Sequence, residues 1–144
     1  MKKYTYHKDG TLPRPDGNVV FVFGSNLAGV HGAGAAKIAK LNYDYPIGIG
    51  FGLSNTDPIE LKGFAIPTKD RNIQTLPLKS ILKYVSYFKN NVAMHQEFNY
   101  FVTRIGCGLA GYKDSDIAPM FRGVSTNCSF AEEWEIYLEN MVEF

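Results

Sequence analysis

An unbroken apolar run, "NVVFVFG" at 18–24, sets the first constraint on the fold. Its β-branched and aromatic residues follow one another without a polar alternation. A strand of that kind is covered on both faces, which places it in the middle of an α/β sheet. The chain leaves it through "GSNLAGVHGAGAA" (24–36), with four glycines, four alanines, one Asn and one His. A plain turn needs one or two glycines, so this segment arranges something larger, and a helix starts within "GAGAAKIAKL".

The rest of the chain alternates in the same way. Residues 1–17 are polar and turn-rich and read as an opening strand and loop. "YPIGIGFGLSN" sets Gly48, Gly50 and Gly52 on alternate positions, which weakens a strand and points to close approach of another backbone or a ligand. "GFAIPT" (63–68) is a second buried strand, ended by Pro67. The clearest helix spans about Pro77 to Val92, with Leu78, Ile81, Leu82, Val85, Phe88 and Val92 as its apolar stripe and Thr75 as its cap. Lys79, Lys83 and Lys89 fall on its solvent side. "NYFVTRI" (99–105) is a third strand and is followed at once by "GCGLAGY". "KDSDIAPMF" opens a helix whose Asp residues suit its N-terminal end. "GVSTNC" reads as a last strand and "FAEEWEIYLENMV" as a closing helix. This alternation predicts helices on both faces of a largely parallel sheet, in one domain over residues 1–144.

Composition narrows the function classes. A net charge of +1 gives no general attraction to nucleic acid or to a membrane surface, so any phosphate must be held by local geometry. Two cysteines, Cys107 and Cys128, are too few for a disulfide framework and suit a reducing compartment. No leader-like or membrane-length apolar segment is visible, and a cytoplasmic, monomeric protein is expected. His7 and His95 have no partners at metal-ligand spacing, so neither metal nor cofactor is expected.

In such sheets ligands sit beyond the carboxyl ends of the strands, where both small-residue loops emerge. Successive N–H groups in a glycine-rich loop form an anion nest, and a following helix adds its unpaired N–H groups. Two such loops side by side can hold a diphosphate without Lys or Arg. Neither carries the phosphate loop G-x-x-x-x-G-K-[ST] nor the dinucleotide fingerprint G-x-G-x-x-G. Tight strand-to-helix packing explains either loop alone equally well.

Taken together the loops resemble those of the macrodomains, which bind ADP-ribose. Asn26, then His31 five residues on, then Gly32, Ala33, Gly34, Ala35 and Ala36 match the first ligand loop of the viral ADP-ribose phosphatase branch. "TRIGCGLAGY" (103–112) is similar to the second loop of the branch that removes ADP-ribose from carboxylate side chains. "FAIPTK" places Lys69 where that branch carries a lysine. The resemblance covers roughly residues 18–128. It implies a three-layer α/β/α macrodomain-like fold with a mixed, largely parallel sheet, and a cleft built from 24–36, 48–54 and 105–112. It also implies binding of ADP-ribose, a close derivative or an ADP-ribosylated protein.

Two consequences for activity follow from the resemblance. One is hydrolysis at the distal ribose, of a phosphate, an acyl group or a protein side chain, with Asn26, His31 and Lys69 as catalytic residues. The other is a reader or sponge without turnover. Gly24, Ser25, Gly32, Ala33, Gly34, Ala35, Gly106, Cys107, Gly108, Leu109, Ala110, Gly111 and Tyr112 would contact the ligand, Tyr112 as an aromatic lid with Phe51 a weaker candidate. The chain departs from the pattern at Ala110, where the deacylating branch has Asp. Asp114 and Asp116 lie a few residues on, and Asp9 and Asp16 are the candidates for pairing with adenine.

Each residue also has a plainer reading. Asn26 is a good turn former, and His31 on a glycine loop is equally a surface residue or a general base. Lys69 beside Asp70 reads more simply as a solvated lysine than as a nucleophile. Cys107 reads as a small residue filling a tight loop, ahead of a thiolate, and Cys128 as core.

Overall fold

The computed structural model describes residues 1–14, 18–53 and 62–139. Six strands form one sheet: β1 (Thr5–His7), β2 (Val19–Asn26), β3 (Gly52–Leu53), β4 (Gly63–Lys69), β5 (Asn99–Val102) and β6 (Cys128–Ala131). Their order is β1-β6-β5-β2-β4-β3, and every pair is parallel except β3 with β4. Four α-helices, α1 (Gly34–Asn42), α2 (Leu78–Tyr87), α3 (Asp114–Ile117) and α4 (Glu135–Leu138), flank the sheet. The result is a three-layer α/β/α arrangement with a mixed, largely parallel centre.

β2 is covered on both faces, as its composition requires. Val20 and Val22 point into one core with Phe64, Ile66, Ile81, Val85 and Ile117. Phe21 and Phe23 point into the other with Ala36, Ala39, Tyr43, Tyr45 and Ala65. The period-2 alternation of a strand therefore divides one apolar run between two cores. α1 packs on the second face, and α2, α3 and α4 on the first. Among the described residues no helix is long and apolar enough to cross a membrane.

Several local expectations are corrected. Pro67 does not end its strand, which runs to Lys69. β3 pairs β4 only at Ala65 and Phe64, so the missing N–H of Pro67 costs no ladder bond on that side. α2 begins after Pro77, which caps it without a side-chain bond, while the Thr75 hydroxyl donates to Ala110 O at 3.2 Å. Beyond Tyr87 the helix widens into a π-turn over Phe88–Val92. Leu82 is exposed and lies outside the core stripe. The last strand is Cys128–Ala131, later than "GVSTNC". The closing segment is a 3-10 turn (Glu132–Trp134) followed by the short α4, and its expected continuation past 139 lies outside the described residues.

Of the alternate glycines at 48–52, Gly50 serves the close backbone approach expected of them, whereas Gly48 and Gly52 have open space at the Cβ position and stand at φ +96° and +106°. A Cβ on Gly50 would collide with the Asn26 carbonyl oxygen and lie 2.8 Å from Leu27 Cα. The segment is packed against the back of the first loop, and the Ser25 hydroxyl donates to Gly50 O.

The topology dictates where a ligand can sit. After β2 the chain crosses by α1 toward β3 and β4, whereas after β4 it crosses by α2 back to β5 on the other side of β2. The loops leaving β2 and β5 therefore diverge to opposite faces, and a crevice opens between them at the carboxyl ends of the strands.

Candidate functional site

A cleft of about 630 Å³ occupies that crevice, within the size range of small-molecule sites of roughly 300–1,000 Å³. The first loop contributes Gly24, Ser25, Asn26, Val30, Gly32, Ala33, Gly34 and Ala35 to its lining. The second contributes Gly106, Cys107, Gly108, Leu109 and Ala110. Thr68 and Lys69 come from the end of β4, and His7, Asp9 and Leu12 from the end of β1 and the turn after it. The two glycine loops meet across the cleft, since a Cβ on Gly34 would touch Leu109 Cδ1 at 3.9 Å.

Both loops leave backbone N–H groups without acceptors among the described residues. α1 starts after Ala33 with no side-chain cap. Its first helical bond runs from Lys37 N to Ala33 O, so the N–H groups of Gly34, Ala35 and Ala36 are the orphan donors of a helix start. In the second loop, Cys107 N, Gly111 N and Tyr112 N bond to Arg104 O, Gly108 O and Gly106 O. The N–H groups of Gly106, Gly108, Leu109 and Ala110 have no such partner. Gly106 is required by geometry, because its φ is +78° and a Cβ there would lie 3.1 Å from Ile117 Cδ1.

The side chains expected to do chemistry are placed differently from one another. Asn26 lines the cleft, but its amide is engaged with Val30 in its own loop. Lys69 also lines the cleft; its backbone carbonyl accepts from Leu27 N at 2.9 Å, whereas its ammonium has no hydrogen bond or ion pair among the described residues. Its neighbour Asp70 is occupied elsewhere, accepting from Asn72 N and Gln74 N at 2.8 and 3.0 Å.

His31 is placed apart from Asn26 and Lys69: it is 2% exposed and is not among the cleft-lining residues. Its ring lies edge-on to Phe23 and Tyr45, and its Nε2 donates to the Pro46 and Ile49 carbonyls at 3.1 and 3.0 Å. Burial lowers its pKa, against the raising effect of the two carbonyls, so the ring is neutral and ties the 46–49 segment to the first loop.

Tyr112 is also absent from the cleft lining. Its hydroxyl donates to Leu76 O and its ring packs on the sheet's larger core, so it is a strut between the second loop and the start of α2. Phe51 packs on Phe64, Tyr84 and Tyr87. Neither it nor any other described part of 48–54 lines the cleft, and residue 54 lies outside the described residues, as does Asp16. Gly111 is not among the cleft-lining residues. Burial pushes the Cys107 thiol up to about 12, with Asp114 adding to the effect, so it is not a thiolate at neutral pH.

Arg104, overlooked in the sequence although it stands inside the second motif, organises the β1 side of the cleft. Its Nε and Nη2 donate to both oxygens of Asp114 at 3.0 and 2.7 Å. Nη1 reaches Asp9 Oδ2 at 3.1 Å and Glu133 Oε2 at 3.4 Å. Trp134 Nε1 donates to Asp114 Oδ1 at 2.7 Å. Burial alone raises the Asp114 pKa, but the Arg104 and Trp134 hydrogen bonds outweigh it and the net shift is downward. Asp114 is thus a fixed anion behind the loop, and Asp116 caps α3 by accepting from Lys113 N. Neither lines the cleft.

At the same end, His7 stacks on Phe101 with ring centroids 3.7 Å apart and bonds Ser129 Oγ through Nδ1 at 2.7 Å. Both rings line the cleft. An aromatic residue at the end of β1 and another in β5 are ordinary core candidates in sequence, and only the β1–β6–β5 pairing brings them together. Among the described residues no cluster of His, Cys, Asp or Glu is arranged to hold a metal ion.

Comparisons with family models, curated proteins and solved structures return no match to this chain.

Proposed function

We propose that the cleft binds ADP-ribose or a close derivative, free or attached to a protein. One observation carries the reading: seven backbone N–H groups, from Gly34, Ala35, Ala36, Gly106, Gly108, Leu109 and Ala110, lack acceptors among the described residues where the two loops face each other. Such groups suit a diphosphate, whose charge also favours the positive end of α1. The stacked pair His7–Phe101 at the β1 end offers an aromatic surface for a base, and Asn26 and Lys69 at the β4 end offer polar groups to a distal sugar.

The chemistry of the lining favours holding the ligand without turnover. A general base must come within hydrogen-bond reach of the water or hydroxyl it activates. His31 is turned away and neutral, the Cys107 thiol is protonated, Asp9 is paired with Arg104, and position 110 is Ala. Hydrolysis at the distal ribose is the second reading, and Lys69 is what favours it, as a cleft lysine whose ammonium has no partner among the described residues.

Isothermal titration with ADP-ribose tests the proposal, with Gly108→Glu as control. A Cβ at Gly108 meets nothing within 4 Å, so the variant folds, yet it carries a carboxylate into the anion site. Saturable binding by the wild type, abolished in the variant, supports the reading. No heat with either protein overturns it. Incubation with ADP-ribose 1″-phosphate and with ADP-ribosylated protein then separates the two readings, because release of phosphate or of free ADP-ribose would establish turnover.

A further inference from the structure

We infer that Ile73 is a specificity-determining contact that selects ligands carrying a sugar ring beyond the diphosphate; the inference rests on the ADP-ribose reading above. Ile73 has φ +61°, a left-handed conformation that is a true outlier for a β-branched side chain. Strain of this kind persists only where the surroundings over-determine it, and it concentrates at functional sites.

The surroundings here do over-determine it. The Asp70 carboxylate accepts from Asn72 N and Gln74 N, Ile73 N donates to Asp70 O at 3.1 Å, and Asp70 N donates to Gln74 O at 2.8 Å. The base of this turn is closed by the Lys69–Thr75 bridge and by Leu76 N to Thr68 O at 2.8 Å. Thr75 Oγ1 anchors it to Ala110 O of the second loop.

The fold gains no core packing from the strained side chain. Ile73 is 44% exposed and belongs to neither core cluster. It lines the cleft, held rigidly at its mouth, and is joined there by Leu109 and Val30 from the two glycine loops, 70% and 54% exposed. A ligand that fills this site has anionic groups for the N–H floor and an apolar C–H face for the rim. The order of the strands sets His7 and Phe101 on the β1 side and Lys69 and Ile73 on the β4 side, so a base in the first region directs the distal ribose toward Ile73.

The test compares ADP-ribose with ADP, which lacks that ribose, on wild type, Ile73→Gly and Ile73→Asn. Gly and Asn both accept the left-handed conformation. Three results are expected together. Wild type binds ADP-ribose more tightly than ADP. Both variants lose about five-fold in ADP-ribose affinity, equivalent to one partly buried aliphatic contact, with ADP affinity unchanged. Both variants melt about 3 °C higher as the strain is released. Unchanged ADP-ribose affinity in the variants, or an equal loss for both ligands, overturns the inference while leaving the ADP-ribose reading intact. Lower melting temperatures overturn it independently of any ligand, since Ile73 would then be a structural residue. A wild type that binds neither nucleotide removes the ADP-ribose reading, and this inference with it.

Discussion

Asn26 and Val30 hold each other by two hydrogen bonds: Asn26 Oδ1 accepts Val30 N–H at 3.0 Å, and Asn26 Nδ2 donates to Val30 O at 2.7 Å. The side chain thereby closes the first loop across four residues. Val30 is left outward at the cleft mouth, and the next residue, His31, is buried beneath the loop. The residue best suited by type to act on a ligand is first of all the residue that shapes its binding loop.

Asn26→Ala removes both bonds and leaves the Val30 backbone to water. A net hydrogen bond contributes about 1 kcal/mol, so the variant should lose about 1–2 kcal/mol of stability, read as a lower urea midpoint with an unchanged m-value. ADP-ribose affinity should fall with it. An unchanged midpoint would mean that the loop closes without Asn26.

Gly50→Ala places a methyl group against the Asn26 carbonyl oxygen and Leu27 Cα. Both obstacles are backbone, and backbone cannot swing aside as a side-chain end can. A cost of about 3 kcal/mol is expected, at the upper end for overpacking, measured by chemical denaturation. Gly108→Ala, where the new Cβ meets nothing within 4 Å, should stay within about 0.5 kcal/mol of wild type.

Arg104→Gln leaves the carboxylates of Asp114, Asp9 and Glu133 without their shared cation. Hydrogen bonds to charged groups contribute about 1.5–3 kcal/mol, and Asp114, which also takes the Trp134 N–H, is the least exposed of the three. A loss of about 2 kcal/mol is expected in equilibrium unfolding. Arg104→Lys should recover only part of it, because an ammonium cannot make the bidentate contact. Full recovery by Lys would show that charge alone matters at this position.

Burial lowers the pKa of both His31 and His7. Below the unfolded value of about 6.5 the unfolded chain binds more protons than the folded one. Their contribution is therefore complete above pH 6.5 and is lost as pH falls through the folded values. Melting temperature should fall between pH 7 and pH 5, and His31→Gln should flatten that slope. The lowered carboxyls of Asp114 and Glu139 act in a lower window, beneath about pH 4. A melting temperature that is flat or rises on acidification from pH 7 to 5 would contradict the neutral setting of the two rings, His31 buried and His7 half-buried.

The Cys107 thiol, pushed up to about 12, should react with a disulfide reagent at pH 8 far more slowly in the folded protein than in urea. Cys107→Ala should bind ADP-ribose as wild type does. Rapid labelling of the folded protein at neutral pH would restore a thiolate role.

The layered fold, the doubly covered β2, the helix after Pro77 and the two glycine loops were legible in the sequence, because each is a property of consecutive residues. An apolar run divides between two faces by strand period, a helical stripe repeats by turn, and glycine density marks where backbone must come close. Which side chains enter the cleft is not a local property. His31 shares its loop with cleft residues but turns inward because Asn26 closes on Val30 and the Pro46 and Ile49 carbonyls lie beneath it. Tyr112 is drawn from the ligand side by the Leu76 carbonyl. Arg104 is significant only because the β1–β6–β5 pairing brings Asp9 to it and the fold sets Asp114 and Glu133 alongside. The strain at Ile73 exists only because Asp70 wraps its turn. Periodicity and backbone freedom, both local properties of the chain, are enough to set the layers and the loops. What faces the cleft emerges with the folded chain, because side-chain direction is set by hydrogen-bond partners that lie far away in sequence.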